Sequence, residues 1–407
     1  MESTKIEAII AEAERKNAAL FAECGKVALF NQKKVLDAFR SVGVAARHFA
    51  PSTGYGYADI GKVALSDVFA KIFRAERALV SPLLTCGTHS LFAALSAILD
   101  KGDTLLSITG DPYDTLTQII TGDKKGTFKS QGINYFGVAM PDGKPDFAKI
   151  KAAITDKKPK VVFVTRSRGY NFRSALLIDE LKELFSFIRN IDKNTIIFCD
   201  NCYGELVDTR EPLEVGAELV VGSLIKNPGG GLAPTGGYVA GKSELVVMVE
   251  EKMTAPYLGA EVGSYNASYL PFFQGLFLAP SVVAAAKKTA LLLSAVFDGF
   301  GYEVSPKPYT QIGDILVTVK LKSKDAVTKF CKAVQFASPV DSFASPEFDY
   351  MPGYKEDIIM AAGTFVQGSS IEISCDGPDK EPYCVYIQGG LTYEHGRIVT
   401  AEILEKL

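Results

Sequence analysis

A single lysine, Lys226, lies between a short apolar run and three consecutive glycines. Residues 219–221 predict a buried strand, Ser223 follows them, and the glycines occupy 229–231. A buried lysine is costly unless it is paired, neutralised or used chemically, and its amine can form a Schiff base with an aldehyde cofactor. Ser223 could then bind a phosphate, and the glycines could let a flat ring lie close to the backbone. The run is a candidate site for pyridoxal 5'-phosphate (PLP), although such a run on its own more often marks a turn.

An aspartate, Asp200, follows a second apolar run upstream of this lysine. Residues 195–199 are mostly β-branched or aromatic and predict a buried strand, so Asp200 would lie at its carboxyl end, where open α/β sheets bind ligands. A carboxylate beside the pyridine nitrogen of PLP keeps that nitrogen protonated and makes the ring an electron sink. Tyr203 is close enough in sequence to reach the ring oxygen or the phosphate. The alternative is a turn or capping aspartate, which is common after strands.

Small and hydroxylated residues precede a helical stretch earlier in the chain. Gly87, Thr88 and Ser90 would lie at the start of a helix that continues through 91–99. Free backbone N–H groups and the positive end of the helix dipole favour a phosphate there, although an ordinary Ser/Thr helix cap gives the same pattern. Each motif is weak by itself. A phosphate turn, a strand-end aspartate and a lysine after another strand, in that order, are together fairly specific.

These motifs resemble those of fold-type-I PLP enzymes of the cystathionine-lyase and methionine γ-lyase group. The resemblance is closest to the branch described as cystathionine β-lyase family proteins involved in aluminium resistance. It implies an α/β, PLP-dependent transferase-like fold, with a mostly parallel sheet in a large domain and a smaller α+β C-terminal domain. The matching segments run in family order over nearly the whole chain: 53–61, 87–89, 110–116, 166–170, 200–205, 226–231 and 388–393.

The resemblance also implies roles for individual residues. Lys226 would carry PLP as an internal aldimine and later move a proton, and Tyr113 would stack on the cofactor ring and assist that transfer. Asp200 would pair with the pyridinium. The other cofactor-binding positions would be Gly87, Thr88, Tyr203 and Ser223. For Tyr113 the alternative is a turn tyrosine, because it follows an Asp-Pro pair.

Two tyrosines near the N-terminus match a segment that, in this group, reaches the phosphate site of a neighbouring subunit. Tyr55 and Tyr57 alternate with glycines. The resemblance therefore implies a homodimer or homotetramer whose active sites are shared between subunits. The alternative is an aromatic loop without a partner.

The wider group binds the substrate carboxylate with an arginine near the C-terminus, and this chain has none in the corresponding segment, 382–388. We expect Arg166 or Arg168 to take that role, with Arg173 as a third possibility, because a guanidinium binds a carboxylate well through two hydrogen bonds. The alternative is that these arginines cover a loop.

The function implied by the resemblance is that of a PLP-dependent carbon–sulfur lyase. It would act on a sulfur amino acid by β- or γ-elimination, as a cystathionine β-lyase or methionine γ-lyase does. An aminotransferase on the same scaffold would share every cofactor residue. A PLP-binding regulatory protein without chemistry is a third reading, and the intact set of Lys226, Asp200 and Tyr113 counts against it.

Composition agrees with a globular enzyme. The chain has 407 residues, 47% of them hydrophobic, which suits two domains or one large α/β unit. A net charge of −3 gives no indication of a nucleic-acid-binding surface. Seven cysteines without a dense framework suit a reducing compartment, and the acidic residues near the start do not fit a leader. We expect a cytoplasmic protein that binds a small amino-acid substrate, and neither nucleic acid nor a membrane.

Cys199 and Cys202 form a C-x-x-C pair beside the aspartate. A zinc site would need a second pair or histidines at ligand spacing, and His48, His89 and His395 are all distant in sequence. We therefore predict packing cysteines and no metal site, with metal or redox use as the alternative.

The pattern of elements predicts three regions: an N-terminal helical arm and intersubunit segment over 1–62, a large PLP-binding domain over 63–275 and a small domain over 276–407.

Residues 262–286 carry no charge but contain prolines and glycines, which predicts a buried crossover and not a membrane helix. Helices are expected near 4–24, 63–73 and 176–190. Strands are expected at 104–108, 160–165, 195–199, 219–222, 314–320, 370–374 and 383–388.

Overall fold

A seven-stranded sheet forms the centre of the larger part of the molecule in the computed structural model, which describes residues 3–407. The strand order is β1-β7-β6-β5-β4-β2-β3, and all neighbours are parallel except that β7 runs antiparallel to both β1 and β6. The strands are β1 Arg77–Ser81, β2 Thr104–Ser107, β3 Asn134–Gly137, β4 Val161–Thr165, β5 Ile196–Asp200, β6 Leu219–Ser223 and β7 Gly237–Gly241.

Helices cover both faces of this sheet, which is why its central strands are apolar throughout. Alternate strand residues point to opposite faces: Val162 and Val164 pack with α2, α5, α6 and α8, whereas Val161 and Phe163 pack with α3, α4 and α7. The helices are α1 Ser3–Val42, α2 Ile60–Phe73, α3 Gly87–Ile98, α4 Asp114–Thr121, α5 Phe147–Lys157, α6 Ile178–Ile191, α7 Ser243–Met253, α8 Leu270–Gly299, α9 Lys324–Phe336 and α10 Tyr393–Lys406.

A second sheet of five antiparallel strands lies in the C-terminal part of the chain, in the order β10-β11-β12-β9-β8. Its inner face packs against α9, α10, the second half of α8 and the start of α1. The mostly parallel large sheet and the smaller α+β unit predicted from the sequence are thus both present. The strands are β8 Glu303–Ser305, β9 Leu316–Lys320, β10 Ile358–Ala361, β11 Ser374–Pro378 and β12 Cys384–Gln388.

The long helix α8 accounts for much of the uncharged stretch at 262–286. Within residues 3–407 it is the one helix long and apolar enough to cross a membrane, but 67% of its most apolar window is buried inside the protein. It packs along α1 and continues through Pro280. The sequence predicted a crossover here, and from Leu270 onward the connection is a core helix. The cytoplasmic location stays a prediction.

Some predicted elements differ from the observed ones. The first helix runs to Val42 and not only to residue 24. The strand expected at 370–374 is instead a loop that leads into β11, because Glu372 accepts hydrogen bonds from the N–H groups of Phe365 and Val366 within that loop. The predicted domain boundaries after residues 62 and 275 fall inside α2 and α8, so both helices continue across them.

Candidate active site

A cavity of about 270 Å³ lies between the carboxyl ends of β4, β5 and β6 and the second sheet. Thr165, Asp200 and Ser223, the last residues of those three strands, all line it. This is the edge at which open α/β sheets bind ligands. Seven of the residues singled out in the sequence meet around the cavity: Gly87, Thr88, Tyr113, Asp200, Tyr203, Ser223 and Lys226.

The amine of Lys226 lies over the ring of Tyr203, with Nζ 3.6 Å from the ring centroid. Such a contact favours a cation. Burial alone would lower the pKa of Lys226, but the nearby side chains of Tyr203, Cys202 and Asp200 outweigh burial and raise it above its ordinary value. The next residue, Asn227, donates hydrogen bonds from Nδ2 to the backbone carbonyl of Tyr203 at 3.0 Å and to that of Glu205 at 2.9 Å. These bonds fix the lysine turn to the loop that follows β5.

The carboxylate of Asp200 is almost completely buried and only partly satisfied. Its Oδ1 accepts a hydrogen bond from the Cys202 N–H at 3.1 Å, the Cys202 thiol also lies near the carboxylate, and within the described residues no N–H or O–H group donates to Oδ2. Burial raises the pKa of Asp200 because the charged form is poorly solvated. A protonated ring nitrogen placed against Oδ2 would offset that cost, so the site fits a ligand with a basic aromatic nitrogen.

Helix α3 starts beside the lysine. Cys86 caps it, with Sγ accepting the His89 N–H at 3.4 Å, while the first N–H groups of a helix have no acceptor within the helix itself. A Cβ on Gly87 would lie 3.4 Å from the Cβ of Ser223 and 3.9 Å from the Cε of Lys226, so the helix start touches both residues. The glycine keeps this approach open for a phosphate.

Two hydroxyl groups flank the same helix start. Thr88 Oγ1 lies 2.8 Å from Thr115 Oγ1, and Ser223 Oγ accepts the Ile225 N–H at 3.2 Å. An anion at the start of α3 would therefore be within reach of side-chain and backbone donors together. With the amine of Lys226 and the carboxylate of Asp200, these donors fit the aldehyde, ring nitrogen and phosphate of PLP.

Tyr113 belongs to a cluster of three tyrosines on another wall of the cavity. Its hydroxyl is 2.7 Å from that of Tyr354, and its ring packs edge-on against Tyr170 with the centroids 5.1 Å apart. Burial raises the pKa of Tyr113 well above its ordinary value, so the phenol keeps its proton near neutral pH. The position suits the predicted role next to the cofactor. Tyr354 carried no signal that the sequence analysis used.

The second sheet contributes a carboxylate that the sequence analysis missed. Asp376 lies in the middle of β11 and lines the cavity, and its Oδ2 accepts a hydrogen bond from the Tyr170 hydroxyl at 3.3 Å. Burial raises the pKa of Asp376 to about 6. Asp376 lies between the strands predicted at 370–374 and 383–388, and no sequence pattern indicated that its carboxylate faces a cavity.

The arginines expected to hold the substrate carboxylate do not line the cavity. Arg166 donates from Nη1 to the Asn201 side chain at 2.9 Å, and Arg168 forms a fully buried ion pair with Asp314 at 3.0 Å. The guanidinium of Arg173 donates to backbone carbonyls. All three thus anchor the loop after β4 to the protein interior. Arg166 Nε and Nη2 and Arg168 Nε have no acceptor among the described residues, but both side chains are buried outside the cavity lining, so the structure gives no support to the expected carboxylate-binding role of Arg166 and Arg168.

Tyr55 and Tyr57 lie outside the cavity of their own chain. Their side chains are 71% and 61% exposed, and the rings stack with centroids 5.3 Å apart. An exposed aromatic pair is compatible with insertion into a second subunit, and that role stays a prediction.

Comparisons with known proteins identify relatives that cover nearly the whole chain. Over 400 residues the chain is 43% identical to the uncharacterized protein YnbB of Bacillus subtilis, covering 97% of this chain and 95% of the relative. A solved structure from Listeria monocytogenes, named a "putative cystathionine beta-lyase involved in aluminum resistance", is 45% identical with a TM-score of 0.94, covering 98% and 99% of the two chains. A structure of the same name from Clostridium acetobutylicum is 41% identical with a TM-score of 0.95, covering 99% and 96%.

More distant structures show the fold. The pyridoxal-5'-phosphate-dependent protein YhfS of Escherichia coli is 16% identical with a TM-score of 0.61, covering 93% of this chain and 96% of that chain. The fold is therefore that of the fold-type-I PLP enzymes, as the sequence predicted. The model of the methionine gamma-lyase family matches residues 6–407. The chain belongs to the methionine gamma-lyase family.

Proposed function

We propose that this protein is a PLP-dependent carbon–sulfur lyase that acts on a sulfur amino acid by β- or γ-elimination. The observation that carries the proposal is one cavity holding the half-buried amine of Lys226, the buried carboxylate of Asp200, with one oxygen that no N–H or O–H group reaches among the described residues, and the start of α3 at Gly87. Membership of the methionine gamma-lyase family supports the same reaction class.

Bound PLP supplies an electron sink for the negative charge that develops on the substrate when a proton leaves its α-carbon. Lys226 would hold the cofactor through Nζ, and its free amine would be the base that takes this proton. The Asp200 carboxylate would keep the ring nitrogen protonated. Tyr113, whose raised pKa keeps its hydroxyl protonated, lines the same cavity and would donate a proton there.

The tyrosine cluster also limits water. Tyr113, Tyr170 and Tyr354 place three rings against one another between the two sheets. An aromatic wall strengthens electrostatic contacts inside the cavity and would help to protect reactive species from hydrolysis. These features suit an elimination, in which a thiol leaves before water acts on the product.

We also propose a homodimer with shared active sites. The exposed Tyr55–Tyr57 pair supports it, as do apolar side chains exposed on neighbouring elements of the described chain. These side chains are Leu29 and Phe30 on α1, Ile60 and Val63 on α2, and Leu270, Phe277 and Leu278 on α8.

The test of the function uses two half-buried lysines. Lys226→Met removes the proposed cofactor amine, and Lys287→Met removes a second amine, which donates to the Val207 carbonyl at 2.8 Å. Purified native protein should be yellow, and borohydride should fix the cofactor to Lys226. We expect Lys226→Met to lose this adduct and roughly 1,000-fold or more of its turnover, whereas Lys287→Met keeps the adduct.

The reaction itself is tested on a panel of cystathionine, cysteine, methionine and homocysteine. Release of pyruvate or 2-oxobutyrate with a free thiol, in the absence of a keto-acid acceptor, is the expected result. Turnover that depends on an added keto acid would instead identify an aminotransferase. A borohydride adduct at another lysine would refute the role of Lys226.

A further inference from the structure

The cavity contains a charged group that the cofactor does not use. Of the charged side chains lining it within residues 3–407, Lys226 and Asp200 serve PLP, and the third is Asp376. In the sheet register Asp376 lies directly opposite Met360 on β10 and Tyr386 on β12, and both of these residues line the cavity as well. The carboxylate therefore faces the cavity from the second sheet, across from the strands that hold the cofactor residues.

Asp376 has no ion-pair partner within 4 Å among the described side chains. Its observed hydrogen bond comes from the neutral Tyr170 hydroxyl at 3.3 Å, and Lys226, the cation that lines the same cavity, lowers its pKa only from a longer distance. A partly buried carboxylate without a close counter-charge is costly, and a perturbed carboxyl group in a cleft is a feature of functional sites. With a pKa of about 6, the group is largely ionised at neutral pH. A cation brought by a ligand would remove this cost.

The surroundings of Asp376 suit a chain of methylene groups ending in that cation. Leu316 and Met360 from the second sheet and Leu116 from α4 line the same cavity and provide apolar surface. No arginine lines the cavity within the part of the chain described. The charge pattern on the second-sheet side is thus negative, which disfavours a substrate whose side chain ends in a carboxylate alone.

We propose that Asp376 binds an ammonium group on the side chain of the substrate. The preferred substrates would then be sulfur amino acids whose leaving thiol carries a second positive charge. This inference rests on the proposed function, because it assumes that the α-amino group of the substrate is directed to the cofactor at Lys226. Asp376 is on this view a specificity-determining residue for the far end of the substrate.

Binding to the holoenzyme provides the first test. L-lysine and L-norleucine have side chains of similar length that differ in the terminal ammonium, and neither carries a sulfur leaving group. Their dissociation constants are measured by calorimetry. We expect lysine to bind about 10- to 100-fold more tightly than norleucine, the range for a charge-assisted hydrogen bond. In Asp376→Asn this ratio should fall to near one, with norleucine affinity little changed.

Turnover provides an independent test. S-(2-aminoethyl)-L-cysteine and S-propyl-L-cysteine are a matched pair of thioethers with and without the ammonium, and the expected result is a higher kcat/KM for the charged member. Equal binding of lysine and norleucine to native holoenzyme would overturn the role of Asp376, whether or not Asp376→Asn folds. A preserved lysine preference without elimination from any thioether would instead refute the lyase proposal and leave the binding site standing.

Discussion

Tyr203 shows how a single residue positions the lysine. Its φ of 71° lies in the left-handed region, which side chains other than glycine rarely adopt and which costs about 1–3 kcal/mol at such sites. Asn227 holds this backbone by donating to the Tyr203 carbonyl at 3.0 Å. The conformation brings the ring under the amine of Lys226, at 3.6 Å from Nζ to the centroid. The strained backbone at Tyr203 therefore helps to align the proposed nucleophile.

The paired hydroxyls of Tyr113 and Tyr354 allow the proton-transfer role to be tested residue by residue. We expect Tyr113→Phe to lower kcat by about 100-fold, the lower range for loss of a general acid or base. Tyr354→Phe removes only the partner at 2.7 Å and should cost less. If Tyr354 acts by orienting Tyr113, the double variant loses no more than Tyr113→Phe alone. Losses that simply add in steady-state kinetics would contradict this coupling.

The buried charge of Asp376 should reduce the stability of the cofactor-free protein. Its pKa rises from an ordinary 3.8 to about 6, chiefly through burial, so the folded state holds the proton more tightly than the unfolded state. Tyr170, Gln388 and Lys226 face the carboxylate and limit that rise. The resulting loss in the free energy of unfolding develops between about pH 4 and 6 and is complete above about pH 7.

Removing this charge should therefore stabilise the protein in a pH-dependent way. We expect Asp376→Asn to raise the free energy of unfolding by about 1–2 kcal/mol at about pH 8, with the gain disappearing below about pH 4. Urea unfolding of the cofactor-free proteins at a series of pH values measures this difference. A constant difference at all pH values would indicate a packing effect and not a charge effect.

At the scale of elements, the start of α3 is the feature on which the proposed phosphate binding depends. Gly87→Ala would place a methyl group 3.4 Å from Cys202 Sγ and from Ser223 Cβ, an ordinary contact that the fold tolerates. The methyl would occupy space at the helix start that the phosphate needs. We expect PLP affinity to fall roughly tenfold, about 1.4 kcal/mol, while the melting temperature of the cofactor-free protein changes little. Cofactor titration followed by absorbance measures the affinity.

Gly25→Ala in α1 is the matched control for this substitution. Gly25 lies inside the helix, and apart from the helix's own nearby backbone no described atom lies within 4 Å of the point that the alanine methyl would occupy. Alanine should therefore stabilise the protein by about 0.5–1 kcal/mol through helix propensity. PLP affinity should stay at the native value. If both alanine variants lose affinity equally, the effect of Gly87→Ala does not come from the phosphate site.

The elements that sequence analysis predicted well are those whose local pattern determines them. β4, β5 and β6 are buried on both faces, so their apolar runs were visible, and the residues at their ends were correctly brought to one edge of the sheet. Asp376 was missed because its exposure to the cavity depends on how the second sheet lies over the first, a contact between distant parts of the chain. The partners of Arg166 and Arg168 are non-local for the same reason.

At the scale of the whole molecule, two helices hold the sheets on either side of the cavity. Ile10 near the start of α1 packs in the core of the second sheet, whereas Val35 near its end packs in the core of the large one. α8 is shared in the same way, through Leu276 and Phe297. The width of the cavity is thus set by long helices that both units share, which favours small relative motions over a wide opening.

The proposed dimer predicts that two inactive variants can restore activity when they form mixed dimers. If Tyr55 and Tyr57 complete the phosphate site of the partner, the variant Tyr55→Ala/Tyr57→Ala and the variant Lys226→Met should each be nearly inactive alone. Refolded together, about half of the dimers are mixed, and each mixed dimer has one complete site. Activity should then return to about a quarter of the native value.

The control for this mixing experiment is a pair of variants that damage the same subunit's half of the site. Asp200→Asn mixed with Lys226→Met leaves no complete site in any dimer, because both residues line one cavity of one chain. No recovery is expected there. The mixture of the tyrosine variant with Lys226→Met could also recover no activity, although mass spectrometry shows mixed dimers. In that case Tyr55 and Tyr57 do not complete the site of the partner subunit.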